Sequence, residues 1–265
     1  MTGLIRVSDA DGVRTLSLDD APSLNSLGES LAAELFAALR QAEADTAVRS
    51  VVLTGSGRFF CAGGNLRDFM AVTEPLDAYI GRVMAELYNP LANFLHTMET
   101  PTIAAVNGPA IGAGVGLALN ADLVVMAQGA YFSLPFVPRL AVLPDMGATW
   151  LLVRGLGYSR ALGLTLTGAR LGADQARSQG LVWEVVADEE FAARVGELAR
   201  DLARLPRGAI GCARHALACG SGNTLAEQLD VERALQIRRF ASAAFREGLR
   251  AFAEKRQPEF ANMDD

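Results

Sequence analysis

Side chains that bind metals or act as strong nucleophiles are scarce here: 265 residues include three cysteines and two histidines. Cys61, Cys212 and Cys219 show no metal-ligand spacing, and an odd number leaves no complete disulfide framework. Cys61 has no histidine near it in sequence and reads as a small buried residue. His96 and His215 fall in helical patterns, where surface or packing roles are usual, and no Ser-His-Asp order is visible. No metal is expected. No Gly-Lys-Ser/Thr follows a glycine run, which excludes a nucleotide P-loop. No apolar run is long enough for a membrane span. Met1-Thr2-Gly3-Leu4-Ile5-Arg6 has no secretory character, so the expected location is the cytoplasm. Positive charge is short as well. Lys and Arg total 24 against 30 Asp and Glu, giving a net charge of -6 and a pI near 5.1. Neither nucleic acid nor an anionic membrane is expected as a partner.

What is present is apolar and glycine-rich. Hydrophobic residues make up 51% of the chain, enough for one globular domain with an appended subdomain. Thr102-Ile103-Ala104-Ala105-Val106 is a β-branched apolar run; after Asn107-Gly108-Pro109-Ala110-Ile111, the glycines Gly112, Gly114 and Gly116 open into an Ala/Leu helix. A strand that ends at such a helix exposes unpaired N–H groups, and glycine lets a ligand come against the main chain. The site suits a phosphate or the oxyanion of an acyl group. A dinucleotide fold would want Gly-x-Gly-x-x-Gly after its first strand, whereas this spacing is Gly-x-Gly-x-Gly in mid-chain. Close packing of a helix on a sheet is the plainer alternative. A second segment of the same kind runs from Val51-Val52-Leu53-Thr54-Gly55 into Phe60-Cys61-Ala62-Gly63-Gly64-Asn65-Leu66. Two such segments can each supply one N–H to an oxyanion hole.

Val13–Leu18 alternates as a strand, and Leu31, Leu35, Ala38 and Leu39 mark a helix face. Strand-strand-helix units recur loosely at 13–54, 102–120 and from 123 to 165 onward. Residues 66–98 read as mostly helical. From Leu205 the character turns helical throughout, with Leu225, Leu229, Leu235 and Phe240 on apolar faces.

These segments, with Pro22–Leu27, Ala121-Asp122-Leu123, Leu166-Thr167-Gly168, Ala173–Ala176, Gly180-Leu181-Val182 and Arg246–Arg256, resemble the crotonase superfamily, the enoyl-CoA hydratase/isomerase family. Each piece alone is weak; their order and spacing are specific and cover nearly the whole chain. The resemblance implies an α/β fold, a spiral of ββα units over residues 1–204 carrying the acyl-CoA site. Residues 205–265 would form a helical region through which a homotrimer or hexamer assembles. It implies an oxyanion hole from the N–H groups of Ala62 and Gly114, holding the thioester carbonyl. It places Asn25, Leu27, Phe60, Gly63, Gly64, Asn65, Leu66, Gly112, Phe136 and Val142 around the substrate. Phe252 and Lys255 would reach the adenine and 3′-phosphate of coenzyme A. Met70, Tyr79 and Met84 would shape the acyl pocket. No separate cofactor is implied, coenzyme A being part of the substrate.

The departures from the family pattern are as telling. Hydratases of the family use two glutamates to handle water, and here those positions are Gly116 and Phe136. One carboxylate stands at a matching place, in Leu143-Pro144-Asp145-Met146-Gly147-Ala148-Thr149-Trp150. That segment is similar to one in the ring-1,2-epoxyphenylacetyl-CoA isomerase subset, where the aspartate is a lone acid/base. Dehalogenases with an aspartate there also need a His and a Trp, at positions near Asn89 and Val137 here. The expected activity is therefore acyl-CoA isomerisation, with Asp145 carrying a proton between carbons of an enolate. Alternatives are an atypical hydratase or hydrolase using Asp145, or an acyl-CoA-binding homologue without activity. The competing structural role for Asp145 is to cap the helix that follows it. Its apolar sequence neighbours Phe136, Val142, Leu143, Met146 and Trp150 favour a raised pKa.

Overall fold

A computed structural model describes residues 3–260 and 263. Met1 and Thr2, where the N-terminal reading begins, and four of the last five positions of the 205–265 region lie outside the described residues.

Nine strands form two sheets among the described residues. They are β1 (Ile5–Ala10), β2 (Val13–Leu18), β3 (Ser50–Gly55), β4 (Thr102–Val106), β5 (Ala110–Ile111), β6 (Leu123–Ala127), β7 (Tyr131–Ser133), β8 (Arg170–Gly172) and β9 (Glu184–Val186). The larger sheet has the order β1-β2-β3-β4-β6-β9, and the smaller one β5-β7-β8. From β2 onward the large sheet is parallel. Every residue of β4 is buried, as expected where a parallel sheet is covered on both faces. Successive turns of chain place one strand in each sheet: β4 then β5, β6 then β7. This is the expected α/β fold of ββα units with a helical C-terminal region.

The first unit differs from the sequence reading. It begins at β1, so residues 13–54 are strand-helix-strand rather than strand-strand-helix. Five of the six β1 residues are exposed. This edge strand alternates only over Ile5-Arg6-Val7-Ser8, and it is held by antiparallel pairing to β2 in full register from Ile5↔Leu18 to Ala10↔Val13.

Two buried or half-buried amides set the loops that carry the site. Asn107, just after β4, accepts from the Gly55 N–H at 3.1 Å and donates to the Gly57 carbonyl at 3.0 Å. Asn25, fully buried, donates to the carbonyls of Ser56 at 3.0 Å and Phe59 at 2.8 Å. The 55–60 loop is thus fixed at both ends, which fixes the approach of Gly63 to the start of the helix Ala113–Leu119. That helix is buried along its whole length.

After β9 the described chain is helical, with helices at Phe191–Ala203, Arg207–Gly220, Leu225–Ala241 and Ala243–Glu254. The first belongs to the core: Ser50 donates to the Ala199 carbonyl at 2.8 Å. The third starts with a capping box between Thr224 and Glu227. Of the four residues marking the apolar faces, Leu235 is buried; Leu225, Leu229 and Phe240 are exposed. Phe252 is 85% exposed. No helix among the described residues is long and apolar enough to cross a membrane.

Candidate active site

The two glycine segments meet. The Ile111 N–H donates to the Cys61 carbonyl at 2.9 Å, and the Cys61 N–H to that of Pro109 at 3.4 Å. Gly63 is required on two counts: its φ is +91°, and a Cβ there would stand 2.7 Å from the Ile111 carbonyl oxygen and 3.5 Å from the Ala113 nitrogen. At Gly114 a Cβ would meet the Cys61 carbonyl oxygen at 2.6 Å. Close approach of backbone to backbone therefore explains both glycines before any ligand is considered.

A census of N–H groups corrects the expected donor pair. The Ala62 N–H is donated to the Leu24 carbonyl at 3.1 Å, so it is not available to a ligand. The Gly63 N–H points to the Cys61 thiol, and the Leu27 N–H clamps the Gly63 carbonyl at 2.7 Å. Among the described residues, the first N–H of this segment without a hydrogen-bond partner is that of Gly64, two residues beyond Ala62. Across from it, the Gly112 N–H donates to the Ser133 carbonyl at 2.9 Å and Val115 turns back to Gly112. Ala113 and Gly114, first in their helix, are left with unpaired N–H groups, as helix geometry dictates. The available pair is Gly64 on one side and Ala113 with Gly114 on the other.

Asp145 sits beside this helix. The competing capping role fails: the residue at the helix N-cap is Gly147, and no side chain caps that helix. The Asp145 Oδ1 is buried with no hydrogen-bond partner, a costly state for a charged oxygen. Burial pushes its pKa up to about 6, against a smaller lowering by its own N–H. The Cys61 thiol and the Tyr88 phenol both feel its charge, and burial raises both, Cys61 to about 12. Cys61 thus stays a neutral thiol, as its burial implied.

The apolar neighbours of Asp145 divide. Met146 and Phe136 are buried; Val142, Leu143 and Trp150 are exposed in the single chain, Leu143 by 73%. Trp150 lies edge-on to His96 at 5.5 Å and under Arg154 at 3.6 Å, which gives His96 the packing role expected of it.

Gly116, where the first hydratase glutamate would stand, has no room for any side chain. A Cβ there would be 2.6 Å from the Met146 Cβ and 3.0 Å from the Asp145 carbonyl oxygen. The Asp145–Met146 turn occupies that space. Phe136 takes the second position, its ring 3.4 Å from where a Gly112 Cβ would be. A glutamate at 116 would have to displace the aspartate's own loop.

Among the other expected site residues, the structure separates builders from possible contacts. Asn25, Leu27 and Phe60 are fully buried in the free chain; Asn25 holds the 55–60 loop, and the Leu27 carbonyl is held by the Tyr88 hydroxyl at 3.0 Å. Asn65 caps the helix Leu66–Ala71. Leu66 and Met70 are exposed, whereas Tyr79 is buried with its hydroxyl on Glu29 at 3.3 Å. No hydrogen bond, ion pair or ring contact joins Phe252 or Lys255 to the Asp145 turn within the described residues. No cluster of metal-ligating side chains occurs among those residues.

Residues 8–263 match the family model described as Enoyl-CoA hydratase/isomerase. The chain belongs to that family. It is 43% identical over 94% of its length, and 95% of the relative's, to the 1,2-epoxyphenylacetyl-CoA isomerase of Escherichia coli K12. It is 36% identical over 83% of its length to a 4-chlorobenzoyl coenzyme A dehalogenase of Arthrobacter, covering 80% of that chain. The crystal structure of an enoyl-CoA hydratase from Bacillus anthracis superposes with a TM-score of 0.90 at 31% identity, covering 97% of this chain and 99% of that one. The protein is an enzyme of the enoyl-CoA hydratase/isomerase family, and its substrates are acyl-CoA thioesters. Three differently named activities on one fold mean that membership does not choose the reaction; residues 116, 136 and 145 must.

Proposed function

We propose that the protein is an acyl-CoA isomerase in which Asp145 is the lone acid/base. The observation that carries this reading is the buried, unpartnered Asp145 Oδ1 beside a helix whose first N–H groups are free, with glycine and phenylalanine where a second carboxylate would be. The thioester carbonyl oxygen accepts from Gly64 and from Ala113 or Gly114. The Asp145 carboxylate takes a proton from carbon, and the electron pair moves to the thioester oxygen as an enolate. The protonated carboxyl then returns that proton to another carbon of the conjugated system. One bond to hydrogen breaks, another forms, and no water enters. A pKa near ambient pH suits both halves of the exchange.

Two outcomes decide between isomerase and its rivals. In D₂O an unsaturated acyl-CoA is expected to gain deuterium at the carbons that interconvert, and crotonyl-CoA to be hydrated slowly or not at all. Efficient hydration without double-bond movement would favour an atypical hydratase. Binding without exchange into any acyl-CoA would favour an inactive homologue.

The pH dependence has a definite sign. The base must be ionised, so kcat is expected to fall as pH drops through about 6, the Asp145 value. A flat rate from pH 8 to pH 5 would remove Asp145 from the proton-transfer step.

Assembly is part of the proposal. The uncovered Leu225, Leu229, Phe240 and Phe252 faces support a trimer or hexamer, which sedimentation should show. Lys255 is the sole lysine of the sequence and ends its helix in a left-handed turn, φ 55°. Lys255→Ala is expected to weaken binding of coenzyme A more than of dephospho-coenzyme A; equal losses would take the 3′-phosphate role from it.

A further inference from the structure

We infer that Asn120 is a positioning residue, holding Asp145 at the place from which it meets the substrate. The inference rests on the reading of Asp145 as the proton carrier. Asn120 ends the glycine helix and is buried. Its Nδ2 donates to the Gly116 carbonyl at 2.8 Å and to the Met146 carbonyl at 2.8 Å. One amide thus joins the helix to the residue next to Asp145.

The Asp145 turn needs such a hold. Met146 and Gly147 have consecutive positive φ values, 51° and 75°, and a left-handed conformation is one that a residue such as Met seldom adopts. Other ties are the Ala148 N–H on the Asp145 carbonyl at 2.9 Å, the Trp150 and Leu151 N–H groups on the Gly147 carbonyl at 3.0 Å each, and the burial of the Met146 side chain; of these, none joins the turn to the glycine helix through a hydrogen bond. Gly116 and Asn120 are one helical turn apart and so share a face. The first leaves room for the turn; the second fastens it. Asn can give two protons to two carbonyls from one nitrogen. Ala or Leu at this position gives none, and Ser gives one.

Loosening the turn has two consequences. The carboxylate moves relative to the N–H groups that hold the thioester, and a misplacement of about 1 Å costs on the order of 100-fold in rate. Water also reaches Oδ1, which lowers the pKa of Asp145 toward its ordinary value of 3.8. The titratable groups facing Asp145 are the Cys61 thiol and the Tyr88 phenol, both raised by burial and neutral between pH 4 and 8. An acid limb in that range therefore reports Asp145.

The test compares wild type with Asn120→Ala, which leaves a cavity, and Asn120→Leu, which fills it, alongside Asp145→Asn. Rates of proton exchange into an unsaturated acyl-CoA are normalised to folded protein by circular dichroism. Both Asn120 variants are expected to lose about 10- to 100-fold in kcat with KM within about threefold, and the acid limb of kcat should move to lower pH. If neither variant folds, Asn120→Ser is expected to show a smaller loss with the limb displaced the same way. Wild-type kcat with an unmoved limb in the folded variants, or a lower melting temperature with nothing else changed, overturns the positioning role alone. If Asp145→Asn keeps its turnover, the reading of Asp145 falls and this inference with it.

Discussion

Asp145→Asn is expected to lower turnover by about 10²–10⁴-fold, the usual contribution of a positioned proton carrier, and to raise thermal stability above pH 6. The two effects have one cause. The site buries a carboxylate oxygen without a partner, so the folded state holds its proton more tightly than the unfolded chain does. Between pH 3.8 and about 6 the unfolded chain has released that proton and the folded protein has not. Stability from this group is thus present below pH 4 and lost as pH rises through about 6. Above that point the ionised Asp145 costs on the order of 1–3 kcal/mol, which the uncharged Asn does not. Ligand affinity should change little, because the N–H groups that grip the thioester are untouched. Thermal melts at pH 4.5 and pH 8, with exchange rates at pH 8, check both parts. A variant with near-normal turnover would refute the assignment, and one less stable than wild type at pH 8 would show that Asp145 is not strained by burial. A residue that lowers stability where it works is the expected signature of a functional site.

The sequence was most legible where chemistry requires a residue type. The glycine segments could be read directly; the lone aspartate and the loss of both water-handling positions were legible through the family resemblance, because each is a choice of side chain. Backbone accounting was not legible. Ala62 looked like a donor, but its N–H is taken by Leu24, a contact between segments far apart in their local patterns. Gly116 read as one of the helix-opening glycines and as a missing glutamate, whereas its function in the fold is to admit the Met146 turn. β1 carried only the short alternation Ile5-Arg6-Val7-Ser8, and its pairing with β2 could not be read from it. Asn120 did carry a signal: a single amide closing an Ala/Leu helix is out of place unless something buried needs its protons.

Gly64→Pro should reduce kcat/KM by about 10²–10³-fold, whereas Gly64→Ala should remain within about tenfold of wild type. Proline removes the N–H, and loss of one oxyanion donor is worth roughly 2.7–4 kcal/mol in the transition state. Alanine keeps that N–H, and its Cβ would stand 3.4 Å from the Phe69 ring edge, a contact the ring can relieve by a small rotation. Ala62→Pro supplies the contrast. It breaks the bond to Leu24, so it should lower stability while each folded molecule keeps its two donors. The residues thus exchange roles relative to a reading that places the donor at Ala62. Kinetics normalised to folded protein, with melting temperatures for all three variants, tell the two apart. Full activity in folded Gly64→Pro together with a dead but folded Ala62→Pro would return the donor to Ala62. The fold would then have to release that N–H from Leu24 when substrate binds.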